Sequence, residues 1–299
     1  MIGVGACYLA GMIAGGALWL MSRPIFATEV FARVNYRRHR LPTAVGVLLP
    51  IAAATVVAIR TLVDPAPNWF TYTDGWRALL TDGATVVALS LAFGILGLVD
   101  DLAGVGQSGG FRGHLRTMAH GGITTGLVKM VGAPLFAVVI IAQRRASVGG
   151  AFTTVGLLRD ALLISLAANF ANLLDRAPGR VNKVAHVSSV ALAALVRDVR
   201  LGAGAVVLGA AGALMVPDLR EQAMLGDAGS NVLGAVVGFS VVVSCTTDQR
   251  WIVVGVLLLA NAASEITSFS TLIDRVAPLR WLDRLGAPNR RPSDTESAA

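Results

Sequence analysis

Residues 83–101 read GATVVALSLAFGILGLVDD, and this stretch decides the fold class. A run of 17 residues without a charge, 83–99, ends at two adjacent aspartates. A helix of that length nearly covers the hydrocarbon core of a bilayer, which is about 30 Å thick. Only helices and closed barrels satisfy all backbone hydrogen bonds in lipid. Because polar and apolar residues do not alternate in this run, it predicts a membrane-spanning helix rather than a barrel strand.

Similar apolar runs recur on both sides of this stretch. Hydrophobic residues make up 55% of the 299 residues, charged residues 14%, and the mean hydropathy is +0.67, whereas soluble chains carry about a quarter charged residues. We predict an all-α polytopic membrane protein with about nine transmembrane helices, ten being the alternative. It forms one helical domain, residues 1–287, followed by a disordered polar tail, 288–299. The predicted spans are 2–21, 43–63, 83–99, 122–142, 155–172, 184–196, 202–217, 230–246 and 251–266.

The arginines predict the orientation of these spans, because basic residues accumulate in cytoplasmic loops. Segment 22–42 holds five arginines, whereas loop 64–82 holds three aspartates and one arginine. We therefore expect a protein of the plasma membrane, with its amino terminus outside the cell and its carboxyl terminus in the cytoplasm. Arg144 and Arg145 are mild exceptions. We attribute the net charge of +7 to this bias and to contact with anionic membrane lipids, not to nucleic-acid binding.

Polar side chains stand at the predicted cytoplasmic ends of three spans. Aspartates close the third span, an amide–amide–carboxylate series at spacing i, i+3, i+6 closes the fifth, and an aspartate opens the eighth. The residues are Asp100, Asp101, Asn169, Asn172, Asp175 and Asp227. The i, i+3, i+6 spacing places the three side chains of the fifth span on one side of a helix. Such groups could converge in a single cleft.

This set of groups is suited to phosphoryl chemistry. Carboxylate and amide oxygens suit Mg²⁺, which takes few protein ligands and adds substrate phosphates. Lys129, just inside the fourth span, is costly there unless it faces a polar cavity or an anion. The alternative is structural. Asp100 and Asp227 would then only mark the water interface, and Asn169 and Asn172 would form hydrogen bonds between helices.

Five strings, in order, resemble motifs of the polyprenyl-phosphate N-acetylhexosamine-1-phosphate transferase family, the MraY/WecA-like enzymes. The resemblance covers roughly residues 30–286. DDLAG at 100–104 resembles the family's DDxxG, NFANLLD at 169–175 its NxxNxxD, and GDAGS at 226–230 its GDxGS. PTAVG at 42–46 resembles an early PTxxG, and TGLVK at 125–129 the segment with a phosphate-binding lysine.

The resemblance implies Mg²⁺-dependent, or Mn²⁺-dependent, transfer of a sugar-1-phosphate from a UDP-amino sugar to polyprenyl (undecaprenyl) phosphate, releasing UMP. Such reactions begin cell-envelope glycans, including peptidoglycan. It implies that Asp227 and Asn172 contact the metal. Asp100 and Asp101 would act near the lipid phosphate, one of them as a base, so that both aspartates and Asp227 are catalytic. Lys129 would hold phosphate oxygens.

Substrate contacts are also expected from the remaining motif positions, although the chain departs from the family at two of them. Asn169 and Asp175 are expected to bind substrate. The family's uracil-reading position is here Pro178, which has no side-chain hydrogen bond to offer. A histidine-rich motif of the last loop is absent, and Arg280 and Arg284 are the candidates to bind the donor diphosphate in its place.

Two other interpretations stay open. A catalytically degenerate paralogue could bind a lipid carrier or partner proteins and regulate envelope synthesis. A transporter is disfavoured because no paired interrupted helices or inverted halves are visible. A homodimer is compatible with either reading.

Overall fold

The computed structural model describes residues 2–35, 37–63, 74–103, 124–149 and 153–287. In these ranges the chain forms eleven α-helices and one small hairpin. The helices are α1 Ile2–Phe26, α2 Leu48–Val63, α3 Asp74–Ala103, α4 Thr125–Ser147, α5 Thr154–Leu174, α6 Arg180–Val196, α7 Gly202–Leu219, α8 Gly226–Ser244, α9 Thr247–Ser264, α10 Phe269–Arg275 and α11 Ala277–Arg284. The predicted tail, 288–299, and most of the loops 64–82 and 100–121 lie outside the described residues.

Several of these helices are long and apolar enough to cross a membrane. Within the described ranges there are seven: α1, α2 with the 3₁₀ turn before it, α3, α4, α5, α7 with its preceding turn, and α8. An eighth results if α9 and α10, which bend by 96° at a short break, count as one span. The chain is thus an all-α polytopic protein of the membrane-spanning class. The count of nine spans stays a prediction, since α6, the counterpart of predicted span 184–196, has 17 residues and is not among the seven.

Helix α8 lies at the centre of the bundle. It packs on α3, α5, α6 and α7, and most of its side chains are buried. Small residues permit this packing: a methyl group at Gly234 would overlap the backbone of Ala167 on α5. Close helix approach through glycine and alanine is the usual way in which membrane helices associate.

An antiparallel hairpin was not predicted. Its strands β1, Ala32–Val34, and β2, Arg40–Pro42, pair with Ala32 opposite Pro42. The Asn35 side-chain oxygen accepts from the backbone N–H groups of Arg37 and His39 at 2.9 Å each, which stabilises the turn. A strand of three residues is too short to show the alternation of polar and apolar side chains by which strands are recognised in a sequence.

Helix α3 begins before the predicted span, so residues 74–82 of the predicted external loop are helical. Asp82, expected in an external loop, is buried in α3, and its carboxylate accepts from Arg144 Nε of α4 at 2.5 Å. Arg145 also contacts a buried carboxylate, that of Asp160. Each of the two arginines that deviate from the basic-residue rule therefore contacts a buried carboxylate at that end of α4.

Candidate functional site

A lysine ammonium joins two carboxylates from different helices. Lys129 Nζ of α4 lies 2.8 Å from Asp100 Oδ2 of α3 and 2.5 Å from Asp227 Oδ2 of α8. The other oxygen of Asp100 accepts from Thr125 Oγ, at the start of α4, at 2.6 Å. Side-chain exposure is 15% for Lys129, 24% for Asp100 and 28% for Asp227. The cluster is therefore partly shielded yet open on one side.

Asp101 faces a different set of donors. Its Oδ1 accepts from the backbone N–H of Asp227 and its Oδ2 from that of Ala228, each at 3.0 Å. These are orphan donors in the first turn of α8, so Asp101 acts as a capping group from another helix. The same turn presents the positive end of the α8 dipole to the carboxylate. Asp101 thereby sets the position of Asp227.

Glycines let α3 and the start of α8 come this close. A methyl group at Gly97 would overlap the carbonyl oxygen of Asp227. Gly226, the first residue of α8, has φ +72°, and a Cβ there would lie 2.6 Å from Asp101 Oδ2. In the dipeptide at 226–227, glycine is required because a side chain would not fit, and aspartate supplies the carboxylate that contacts Lys129.

The PTAVG segment supports the same helix end from the other side. The backbone N–H of Gly46 donates to the Leu225 carbonyl at 2.9 Å, and that of Met224 donates to the Pro42 carbonyl at 2.7 Å. A Cβ on Gly46 would overlap Gly229. This segment therefore positions the start of α8.

Asn172 and Asp175 reach the site from the end of α5. Asn172 Nδ2 donates to Asn231 Oδ1 of α8 at 3.3 Å, and the Asn172 side chain lies within reach of the Asp227 carboxylate. Asp175 caps the end of α5. Desolvation, followed by the nearby carboxylate of Asp218, raises the pKa of Asp175 well above its ordinary range. The site is thus rich in carboxylates that compete for few cations.

Three of the site's aspartates, Asp101, Asp175 and Asp227, open on a polar cavity of about 300 Å³. Its wall includes Asp101, Asp175 and Asp227, with Pro178 and Arg176 beside them and the hairpin at its rim. Asp218 and Glu221 also line it. Sequence reasoning missed Asp218, whose carboxylate accepts from the backbone N–H of Gly179 at 3.1 Å. Its place in the last turn of an apolar helix was the available signal.

A second cavity, of about 320 Å³, is almost wholly apolar. It lies between α5, α6, α8 and α9. Phe170 and Leu174 line it at the end of α5, in the same turns as Asn172 and Asp175, and Leu233 lines it two residues beyond Asn231. An apolar chain in this groove would have one end near the carboxylates.

Three of the predicted substrate-binding residues have other partners. Asn169 Nδ2 donates to Asn261 Oδ1 of α9 at 2.6 Å, which is the interhelical hydrogen bond considered as an alternative. Arg280 Nη1 donates to the Asp274 carbonyl at 2.9 Å, and Arg284 lies 3.9 Å from the Asp274 carboxylate. The structure therefore places these three outside the lysine–carboxylate cluster.

The predicted metal site has few protein ligands. Within the described ranges, no three His, Cys, Asp or Glu side chains are grouped to hold a metal ion. Asp227 and Asn172 offer one carboxylate and one amide, which fits an ion that takes one or two protein ligands and completes its shell with phosphate and water. The buried Nδ2 of Asn231 makes no hydrogen bond, so this amide network is not closed by protein groups.

No protein-family model matches the chain, and no curated protein matches it.

Proposed function

We propose that this protein is a Mg²⁺-dependent glycosyl-1-phosphate transferase. It moves a sugar-1-phosphate from a nucleotide amino sugar, with UDP as the expected nucleotide, to polyprenyl phosphate and releases the nucleoside monophosphate. The observation that supports this most is the contact of one ammonium with carboxylates from two further helices, Lys129 with Asp100 and Asp227. We further propose that this end of the bundle faces the cytoplasm.

Each group then has a physical task. Two anionic substrates repel one another, so positioning them is the demanding part of the reaction. Lys129, already placed between two carboxylates, would exchange one of them for a phosphate oxygen. Asp100, held by Thr125, would accept a proton from the lipid phosphate. Since the second pKa of a phosphate monoester is near 6, a weak base suffices.

Asp227 and Asn172 would hold the Mg²⁺, which when bound neutralises charge that develops on the transferring phosphate. Asp101 fixes the helix turn from which Asp227 projects. This role makes Asp101 a positioning residue in our proposal and leaves Asp100 as the base.

The two cavities separate the two substrates. The apolar groove between α5 and α8 is suited to part of a polyprenyl chain, because its wall is almost entirely hydrocarbon. The polar cavity beside Pro178 is suited to the donor. Its acidic wall favours hydroxyl and amide groups over further anionic groups, so the donor diphosphate is expected nearer Lys129.

The experiment is a donor panel with purified protein, undecaprenyl phosphate and Mg²⁺, read out as nucleoside monophosphate released. Wild-type protein should turn over at least one donor, and Asp227→Asn should lose about 100-fold or more of the rate. Asp248→Asn, an exposed aspartate at the opposite end of the bundle, is the matched control and should keep the wild-type rate. No turnover above Asp227→Asn with any donor contradicts the proposal.

A non-enzymatic scaffold that binds the lipid carrier is the second candidate. The engagement of Asp101 by backbone donors and of Arg280 and Arg284 by Asp274 favours it, because these groups already have structural tasks. Complementation distinguishes the two. Alanine at Asp100 and Asp227 that leaves the cellular phenotype intact would support the scaffold.

A further inference from the structure

Far from the carboxylate site, three guanidinium groups surround one buried carboxylate. Asp160, in the second turn of α5, has no exposed side-chain surface. Arg159 Nη2 lies 2.7 Å from its Oδ1, and Arg250 Nη1 of α9 lies 3.2 Å from its Oδ2. Arg145, near the end of α4, contacts Oδ2 as well. We call these four residues the arginine cluster. It lies at the opposite end of α5 from Asp175.

Positive charge exceeds negative charge in this cluster. Two arginines, Arg159 and Arg250, already outnumber Asp160, and Arg145 contacts the same carboxylate. Their side chains are only 5%, 20% and 14% exposed, respectively. Among the described residues, Asp82 pairs with Arg144 and Asp248 is exposed on the first turn of α9, so neither adds to the negative charge of the cluster. Buried charge that is only partly compensated is costly, so an anion is favoured here.

Two helix amino termini add to the positive potential. Helix α5 begins after the cap residue Thr153, and α9 begins after Thr246, which forms a capping box with Gln249. Both helices carry their cluster arginine within the first two turns. Helix amino termini carry partial positive charge and favour anions. The positive potential of the two helix amino termini therefore adds to that of the guanidinium groups and favours a bound anion.

Apolar side chains surround the cluster on its outer surface. Val155 and Leu158 of α5 are 63% and 53% exposed, and Ile252 of α9 is 65% exposed. Trp251 is 45% exposed, and its ring lies 5.8 Å from the Arg159 guanidinium carbon. An amphipathic aromatic residue between apolar surface and charge is typical of the membrane interface. A ligand here would meet charge at one end and hydrocarbon along its length.

We propose that the arginine cluster binds the phosphate group of an anionic phospholipid, in the leaflet opposite the carboxylate site. Arginine recognises phosphate through its planar fork of donors. Inorganic phosphate shares this chemistry, but the exposed Val155, Leu158 and Ile252 favour a phosphate that carries acyl chains. The proposal does not depend on the transferase activity.

The test is native mass spectrometry of delipidated protein titrated with phosphatidylglycerol or phosphatidylcholine. Wild-type protein should prefer phosphatidylglycerol. Arg250→Gln, which removes the most exposed arginine of the cluster, should weaken that binding about fivefold and weaken phosphatidylcholine binding less, because the choline cation offsets its phosphate charge. Arg250→Lys should recover part of the loss. Arg200→Gln is the matched control, because Arg200 pairs one-to-one with Asp198 and is 52% exposed.

Two results would overturn the proposal. One is equal phosphatidylglycerol affinity in wild type and Arg250→Gln, and the other is displacement of the lipid by millimolar inorganic phosphate, which assigns the site to free phosphate. Quenching of tryptophan fluorescence is a second test, and it leaves the arginines unchanged. Brominated phosphatidylglycerol should quench more tryptophan fluorescence than brominated phosphatidylcholine, and Trp251→Phe should remove the difference. Quenching that is equal for both lipids contradicts the proposal.

Discussion

At the scale of single residues, neighbouring aspartates in one motif have different environments. Asp100 contacts a lysine and a threonine hydroxyl, whereas Asp101 caps a helix. The family resemblance predicted that both act near a lipid phosphate and that one of them is the base, without deciding which. Side-chain partners separate the two, because helical geometry turns adjacent side chains about 100° apart.

Substitutions at Asp101 test this division of tasks. Asp101→Asn keeps one acceptor for the α8 amides and should retain much of the activity, whereas Asp101→Ala should cost about 1–2 kcal/mol of stability through the lost cap. Asp100→Asn should abolish turnover with little change in unfolding midpoint. Release of nucleoside monophosphate and thermal unfolding in detergent measure the two effects. Full loss of activity in Asp101→Asn, with unchanged stability, would assign the base to Asp101 instead.

Lys129 should be coupled to its carboxylates energetically. Lys129→Gln leaves Asp100 and Asp227 close together without their shared cation, and removing one partner of a buried ion pair costs about 3–5 kcal/mol. In the double variant with Asp100→Asn, the loss should be smaller than the sum of the single losses. Chemical denaturation of the four proteins gives the coupling energy. Additive losses would show that the ammonium does not interact with Asp100.

At the scale of elements, glycine contacts set the distance between α3 and α8. Gly97→Ala should destabilise the protein by about 1–3 kcal/mol, because the added methyl meets the Asp227 carbonyl rather than a movable side chain. It should also lower activity by displacing Asp227. Gly255→Ala, in α9, is the control, since a Cβ there meets nothing within 4 Å. Equal unfolding midpoints for the two variants would contradict the tight α3–α8 contact.

The elements also show what the sequence could predict. Apolar runs such as 83–99 located the helices, because span length follows from bilayer thickness. Their ends were less certain: α3 extends to Asp74, since polar residues such as Asp82 find buried partners that no local pattern reveals. The motifs indicated which residues lie near the site, but the contacts of Asp101 with α8 and of Asn169 with α9 join helices that are far apart in sequence and could not be predicted. Asp218 was missed for the same reason.

At the scale of the whole molecule, the two ends of the bundle hold charge clusters of different composition. One end gathers carboxylates around a single lysine, and the other gathers arginines around Asp160. The predicted orientation places the carboxylate end in the cytoplasm. That assignment came from basic residues in loops, and most of the loops 64–82 and 100–121 lie outside the described residues.

Cysteine labelling in intact cells tests the orientation. With Cys7 and Cys245 replaced by alanine, Asp248→Cys should react with a membrane-impermeant maleimide from outside. Glu29→Cys, exposed beside the hairpin at the other end of the bundle, should react only after permeabilisation. The reversed pattern would place the proposed site outside the cell, where cytoplasmic nucleotide sugars are not present.

The junction between α6 and the last two helices has a consequence for how the chain tolerates change. Arg180 binds both oxygens of Asp283 and also Ser270 Oγ, while Lys183 donates to three carbonyls at the end of α11. Helices α10 and α11 otherwise expose much of their apolar surface, including Leu272 and Trp281. Helices α10 and α11 are thus attached to α6 mainly by hydrogen bonds and an ion pair rather than by buried apolar packing. The attachment of this pair therefore depends on Arg180 and Lys183, so substitutions at these two positions are expected to disturb it more than substitutions at its outward-facing residues.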